Sequence, residues 1–221
     1  MGYILSNYGI LGAFWGTIQL SVLSAIGALV IGTVVAVLRI SPVRVLRLIG
    51  TSYVNIFRNT PLTLLMVFSV LGLTFVLGLT LSQDLSRNAY LWAVIALSVY
   101  HAAFVCEALR SGVNTVPAGQ AEAARSIGLT FSQTLREVLL PQAFRGAIAP
   151  LGSTLIALIK NTTVAAVILG TRESAGLLAK ITENEGASLP TFFIFALGFV
   201  ILTLPIGLLT THLSQRLAVK R

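Results

Sequence analysis

The chain has 221 residues, of which 56% are hydrophobic and only 10% charged, with a mean hydropathy of +0.91. A soluble domain carries roughly a quarter charged residues, so this composition cannot cover a water-facing surface; a soluble enzyme, a nucleic-acid binder and a disordered tail are excluded. The excess of 15 Lys and Arg over 7 Asp and Glu then reads as topology information for an integral membrane protein.

A helix needs about 20 apolar residues to cross the hydrocarbon core. The first such stretch is 11–38, within a segment free of formal charge up to Leu38. It lacks the basic start and short apolar region of a cleaved signal, so it is expected to remain as a membrane helix. Further spans are expected at about 59–80, 89–109, 147–170 and 188–211, the fourth interrupted only by Lys160. Five spans place the termini on opposite sides. With the N-terminus outside, the inner regions hold eleven cations (Arg39, Arg44, Arg47, Arg58, Arg110, Arg125, Arg136, Arg145, Arg216, Lys220 and Arg221). The outer regions hold three, Arg87, Arg172 and Lys180. Cytoplasmic loops are the ones enriched in Lys and Arg, so the C-terminus is cytoplasmic. The expected fold is all-α, one transmembrane domain over 1–221. Gly27, Gly32, Gly72 and Gly78 suit close helix packing, and the single Cys106 cannot form a disulfide within the chain.

The inner loop 110–146 is rich in helix formers yet too polar for lipid. Pro117 suits a first helical turn, 120–127 reads as a short alanine-rich helix, and Gly128 supplies a left-handed stop. Thr130 and Gln133 have capping-box spacing for a second helix. Phe131, Leu135, Val138 and Leu139 share one face of it, and Pro141 is expected to break it. Ala118, Ala121 and Ala124 are small enough for close approach of a partner. On these grounds alone the loop is either a docking element or an amphipathic hairpin lying on its own membrane domain.

Glu122-Ala123-Ala124, three residues, Gly128, nine residues, then Val138-Leu139-Leu140-Pro141 resembles the EAA signature of bacterial ABC importer permeases, with valine in place of isoleucine. Three further stretches resemble the polar amino-acid subfamily. Phe57-Arg58-Asn59-Thr60-Pro61-Leu62 is similar to its F-R-G-T-P-L, 102–107 to its A-A-Y-x-x-E, and Lys160-Asn161-Thr162-Thr163 to its K-D-T-S. The departures are Asn59 for glycine, Phe104 for tyrosine and Asn161 for aspartate. The resemblance implies a five-span permease of the bacterial cell membrane. Its short cytoplasmic helix, carrying Glu122, Ala123, Ala124 and Gly128 and followed by Pro141, would dock on an ATP-hydrolysing subunit. It further implies two such ATPases holding ATP and Mg²⁺, a second permease chain, and an external amino-acid-binding protein. No cofactor is implied for this chain and no nucleic acid as partner. The sequence has no G-x-x-x-x-G-K-[ST] loop, H-E-x-x-H or G-x-S-x-G, so it is read as a transport subunit and not an enzyme.

Lys160 lies about 22 Å along a straight helix from Arg145, deep in the membrane, where a charge costs about 2.5–3.5 kcal/mol on insertion scales and must face a partner or water. The following Asn161-Thr162-Thr163 offers an amide and two hydroxyls, and a break in helix hydrogen bonding there would expose backbone N–H groups to an anion. The site reading is a pocket for a zwitterion formed by Lys160, Asn161, Thr162 and Thr163, with His101 and Phe104 from the third span. The alternative pairs Lys160 with Glu107 and leaves His101 as a core histidine. Glu107 also has Arg110 at i+3. Because Asn161 carries no charge, the site suits glutamate or another acidic or neutral polar amino acid better than a cationic one. A permease for another small polar solute, an ion-coupled carrier and a channel are the rival readings. Glu173, Lys180, Glu183 and Glu185 are expected on a solvated outer loop.

Overall fold

The computed structural model describes residues 7–217, so Lys220 and Arg221 of the charge tally lie outside the described residues. Among those described there is no strand. The helices are α1 (Ile10–Ile40), α2 (Arg44–Asn59), α3 (Leu62–Val76), α4 (Leu85–Val113), α5 (Ala118–Ser126), α6 (131–146), α7 (Ile148–Arg172), α8 (Ser174–Glu185) and α9 (Leu189–Leu217). Four of them, α1, α4, α7 and α9, are each long and apolar enough to cross a membrane.

The second expected span, about 59–80, contains the apolar helix α3, but its shape differs from a straight membrane helix. The chain makes a 99° bend between α2 and α3. Thr60 and Pro61 are both extended, with ψ near 131°, because a residue before proline is driven out of the helical region. The apolar segment therefore begins at Leu62, and from Phe68 to Val76 it is a wide π-helix. Its 15 residues reach about 22 Å at α-helical rise, short of the roughly 30 Å core. α2 was not expected as a helix at all. It turns Gly50 and Val54 onto the protein and leaves Arg44 and Arg47 exposed.

α1 and α4 form the most extensive helix pair. Their interface is built from small side chains: Ala28, Ala36, Ala103 and Cys106 are all buried, with Leu109 and, from α7, Leu158 closing the layer. A Cβ on Gly32 would come within 2.6 Å of the Val105 Cβ and 2.8 Å of the Ala102 carbonyl oxygen, so close packing is what glycine permits there. Gly78 does something else: nothing lies near it, and its φ of +68° turns the chain after α3. A Cβ on Gly72 would first meet the Phe68 ring of its own helix. α9 packs chiefly on α7 and buries only Thr191 and Phe195.

α6 does not stop at Pro141. Its Thr130–Gln133 capping box forms as expected, with the Gln133 amide donating to Thr130 Oγ1 (3.3 Å) and the Thr130 amide to Gln133 Oε1 (2.9 Å). The helix then continues through Pro141 to Gly146, with a π stretch over Thr134–Leu139. That wider turn directly before the proline accommodates a ring that would clash with the carbonyl four residues back in a regular helix.

Candidate functional site

Two sets of residues carry the chemistry, one in the membrane and one beneath it. Beneath it, α5 ends in a Schellman motif. The Gly128 amide donates to the Arg125 carbonyl (3.0 Å) and the Leu129 amide to that of Ala124 (3.1 Å), which requires the left-handed backbone that Gly128 adopts at φ +89°. Pro117 precedes the first turn with extended ψ of 135°. The corner orients the helix so that Ala124 is buried while Glu122, Ala123 and Ile127 face outward. The small-residue face expected to meet a partner is thus partly spent on this chain's own α6. The outward apolar group is instead Ile127, 78% exposed, which sequence reasoning passed over. At the loop's base a Cβ on Gly112 would collide with the Ala143 carbonyl of α6, so α4 and α6 touch backbone to backbone.

In the membrane, α7 breaks where expected. Thr162–Ala165 is a 3₁₀ turn between two α-helical stretches. The break tightens the chain and does not open it. The Thr162 amide still donates to the Ile159 carbonyl, and the Ala166 amide to that of Thr163, so these backbone groups are not offered to an anion.

The six side chains assigned to a binding pocket separate. Asn161 Nδ2 lies 3.2 Å from His101 Nε2, and the Phe104 ring centroid is 5.8 Å from that of His101; these three are brought together. His101 is buried, only 1% exposed, and belongs to the α4–α7 contact. Lys160 and Thr163 lie on the accessible side of α7, the Thr163 hydroxyl donating to the Lys160 carbonyl (2.7 Å). Thr162 points the other way, fully buried, its hydroxyl 2.8 Å from the Ile159 carbonyl and 3.4 Å from Glu173 Oε1. Among the described residues Lys160 has no carboxylate within ion-pair distance, so it does not pair with Glu107.

Glu107 instead receives three guanidinium groups: Arg39 from α1, Arg110 at 2.9 Å from its own helix, and Arg58 from the end of α2 at 3.5 Å. Arg58 also stands 5.7 Å over the Phe104 ring. Only Arg110 was readable from spacing. Glu173 is the larger correction. It is not solvated: its side chain is fully buried at the start of α8. Burial pushes its carboxyl above the usual carboxylate range, against the opposing pull of the donors around it. Lys180 and Glu183 do lie exposed, paired at 3.0 Å.

Residues 28–219 match the family described as the binding-protein-dependent transport system inner membrane component. The chain belongs to this permease family. It is 52% identical over 218 residues to the glutamate transport system permease protein GluC of Corynebacterium efficiens, covering 96% of this chain and 95% of that one. It is 32% identical to the glutamate/aspartate import permease protein GltJ of Escherichia coli, covering 98% and 87%. A solved amino acid ABC transporter superposes with TM-score 0.80 at 26% identity, covering 94% of this permease and 93% of that chain. The permease is therefore a membrane-embedded transport subunit of an ABC importer, not an enzyme, and its family implies an ATPase and a binding protein as partners.

Proposed function

We propose that this permease translocates glutamate, or a closely similar acidic or neutral polar amino acid. It works beside a second permease chain, with two ATPases docked on α5 and an external binding protein delivering substrate. ATP and Mg²⁺ belong to the ATPases. The observation that carries the reading is Lys160 on the accessible side of α7, with no carboxylate within ion-pair distance among the described residues, followed by the uncharged Asn161; the high identity to a glutamate permease supports it. A lone ammonium attracts the α-carboxylate every amino acid shares, and an amide in place of an acid spares a second carboxylate from repulsion. When the ATPases close, α5 moves and the rigid α4–α6 contact at Gly112 passes that motion to the spans. Such a switch biases two pre-existing states of the pore.

The test is uptake of glutamate, glutamine and arginine by the complex reconstituted with its ATPase and binding protein. Asn161→Asp is expected to weaken glutamate transport more than glutamine transport. A charge at a partly hydrated contact is worth about 1–4 kcal/mol. His101 faces the new carboxylate, so the effect falls at the low end. Lys160→Met is expected to impair all three. Equal losses for all three substrates in Asn161→Asp would make the residue a packing element, and normal transport in Lys160→Met would place the carboxylate site elsewhere.

A further inference from the structure

The Glu173 carboxylate stands at a junction of three elements and, among the described residues, has no cation within ion-pair distance. Oε1 lies 3.1 Å from the Thr17 hydroxyl of α1, 2.9 Å from that of Ser174 and 3.4 Å from that of Thr162 in the α7 break. Oε2 accepts from the amides of Ala175 (2.7 Å) and Gly176 (3.4 Å) at the first turn of α8. The Ser174 amide in turn donates to Thr17 Oγ1 at 3.2 Å. One side chain thereby joins α8 directly to α1, and it touches the residue next to Asn161 through the Thr162 hydroxyl, which shares its proton with the Ile159 carbonyl at 2.8 Å. The two amide bonds make Glu173 the N-cap of α8, but a cap asks only for those, and the three hydroxyls gathered on Oε1 go beyond it. α8 follows the outer end of α7, so it faces the side from which substrate arrives.

We propose that Glu173 is a positioning residue for transport, a clamp through which displacement of α8 by the delivered binding protein moves Thr162 and with it the Lys160–Thr163 segment. This rests on the transport reading above, and the closing experiment separates the two. Glu173→Gln keeps the shape of the side chain but replaces one acceptor with a donor facing either hydroxyls or amides. Thr17→Val removes the α1 strand of the clamp and leaves the carboxylate.

Two readouts are needed. The first is ATP hydrolysis by the reconstituted complex with and without glutamate-loaded binding protein. Both variants are expected to retain basal hydrolysis while stimulation falls about tenfold, the size of one lost hydrogen bond to a charged group. The second needs no substrate: the labelling rate of a Thr163→Cys reporter, in a Cys106→Ala background, between the resting complex and the complex trapped with ATP and vanadate. The clamp predicts that Glu173→Gln erases the difference seen with Glu173 present. If stimulation and the labelling difference both survive Glu173→Gln, the clamp is refuted. If basal hydrolysis falls in step with stimulation, Glu173 is structural only. If glutamate fails to stimulate the unaltered complex, the substrate reading fails, and the labelling readout still decides the clamp.

Discussion

Replacing Gly128 with valine puts a number on the corner that ends α5. No atom lies within 4 Å of a Cβ built there, so the substitution meets no steric wall and its whole cost is conformational. Holding an L-residue at the φ of +89° that Gly128 adopts costs about 1–2 kcal/mol, more for a β-branched side chain. If the corner relaxes instead, the two Schellman bonds from Gly128 and Leu129 are lost, at about 0.5–1.5 kcal/mol each. Either route takes about 1–3 kcal/mol from a helix of nine residues, which is too short to persist without its ends. At 1.4 kcal/mol per factor of ten, the docked orientation is depopulated by about five- to a hundredfold. Gly128→Asn is the control, because asparagine tolerates the left-handed region. The assay is co-purification with the ATPase, together with ATP hydrolysis coupled to uptake. Membrane insertion is expected intact in both variants, with coupling lost in valine and largely kept in asparagine. Normal coupling in Gly128→Val, or equal loss in both, would refute the argument that this corner sets the docking surface.

Topology is checked by cysteine labelling in a Cys106→Ala background. Reporters at the exposed Gln83 and Ala187 are expected to react from outside sealed cells, and those at the exposed Arg44 and Ser126 only after permeabilisation. Glu107→Ala leaves Arg39, with a side chain 14% exposed, without its carboxylate. Full burial of such a pair would make its loss worth 3–5 kcal/mol, and the partial exposure here reduces that to about 1–3 kcal/mol. A lowered melting temperature in detergent, partly restored by adding Arg39→Met, is the expected result. For Glu173 the raised carboxyl favours the protonated form in the fold. That contribution to stability is complete below the unfolded carboxylate range and lost as pH rises through the raised value. The melting temperature is thus expected to fall with rising pH across that window, and the dependence to flatten in Glu173→Gln.

What could be read in the sequence depended on how near in the chain the cause lies. The spans at α1, α4, α7 and α9 follow from apolar stretches long enough for lipid, and the topology from the distribution of arginine. Gly128 and the Thr130–Gln133 box were legible because capping bonds join residues at most five positions apart. The break at Thr162 was also legible, from polar residues placed mid-span. Where two local rules met, tertiary structure chose between them: Pro141 obeys its missing donor by riding on a π turn while α6 continues to pack on α4. The pairings that place the candidate site had no local sign. Asn161 meets His101 across 60 positions, Arg39 meets Glu107 across 68, and Thr17 meets Glu173 across 156. A carboxylate after a membrane span looks solvated by composition. Whether Glu173 faces water or three hydroxyls depends on which helices pack there, and that is decided by interlocking small side chains between α1, α4 and α7 rather than by any neighbour in the chain.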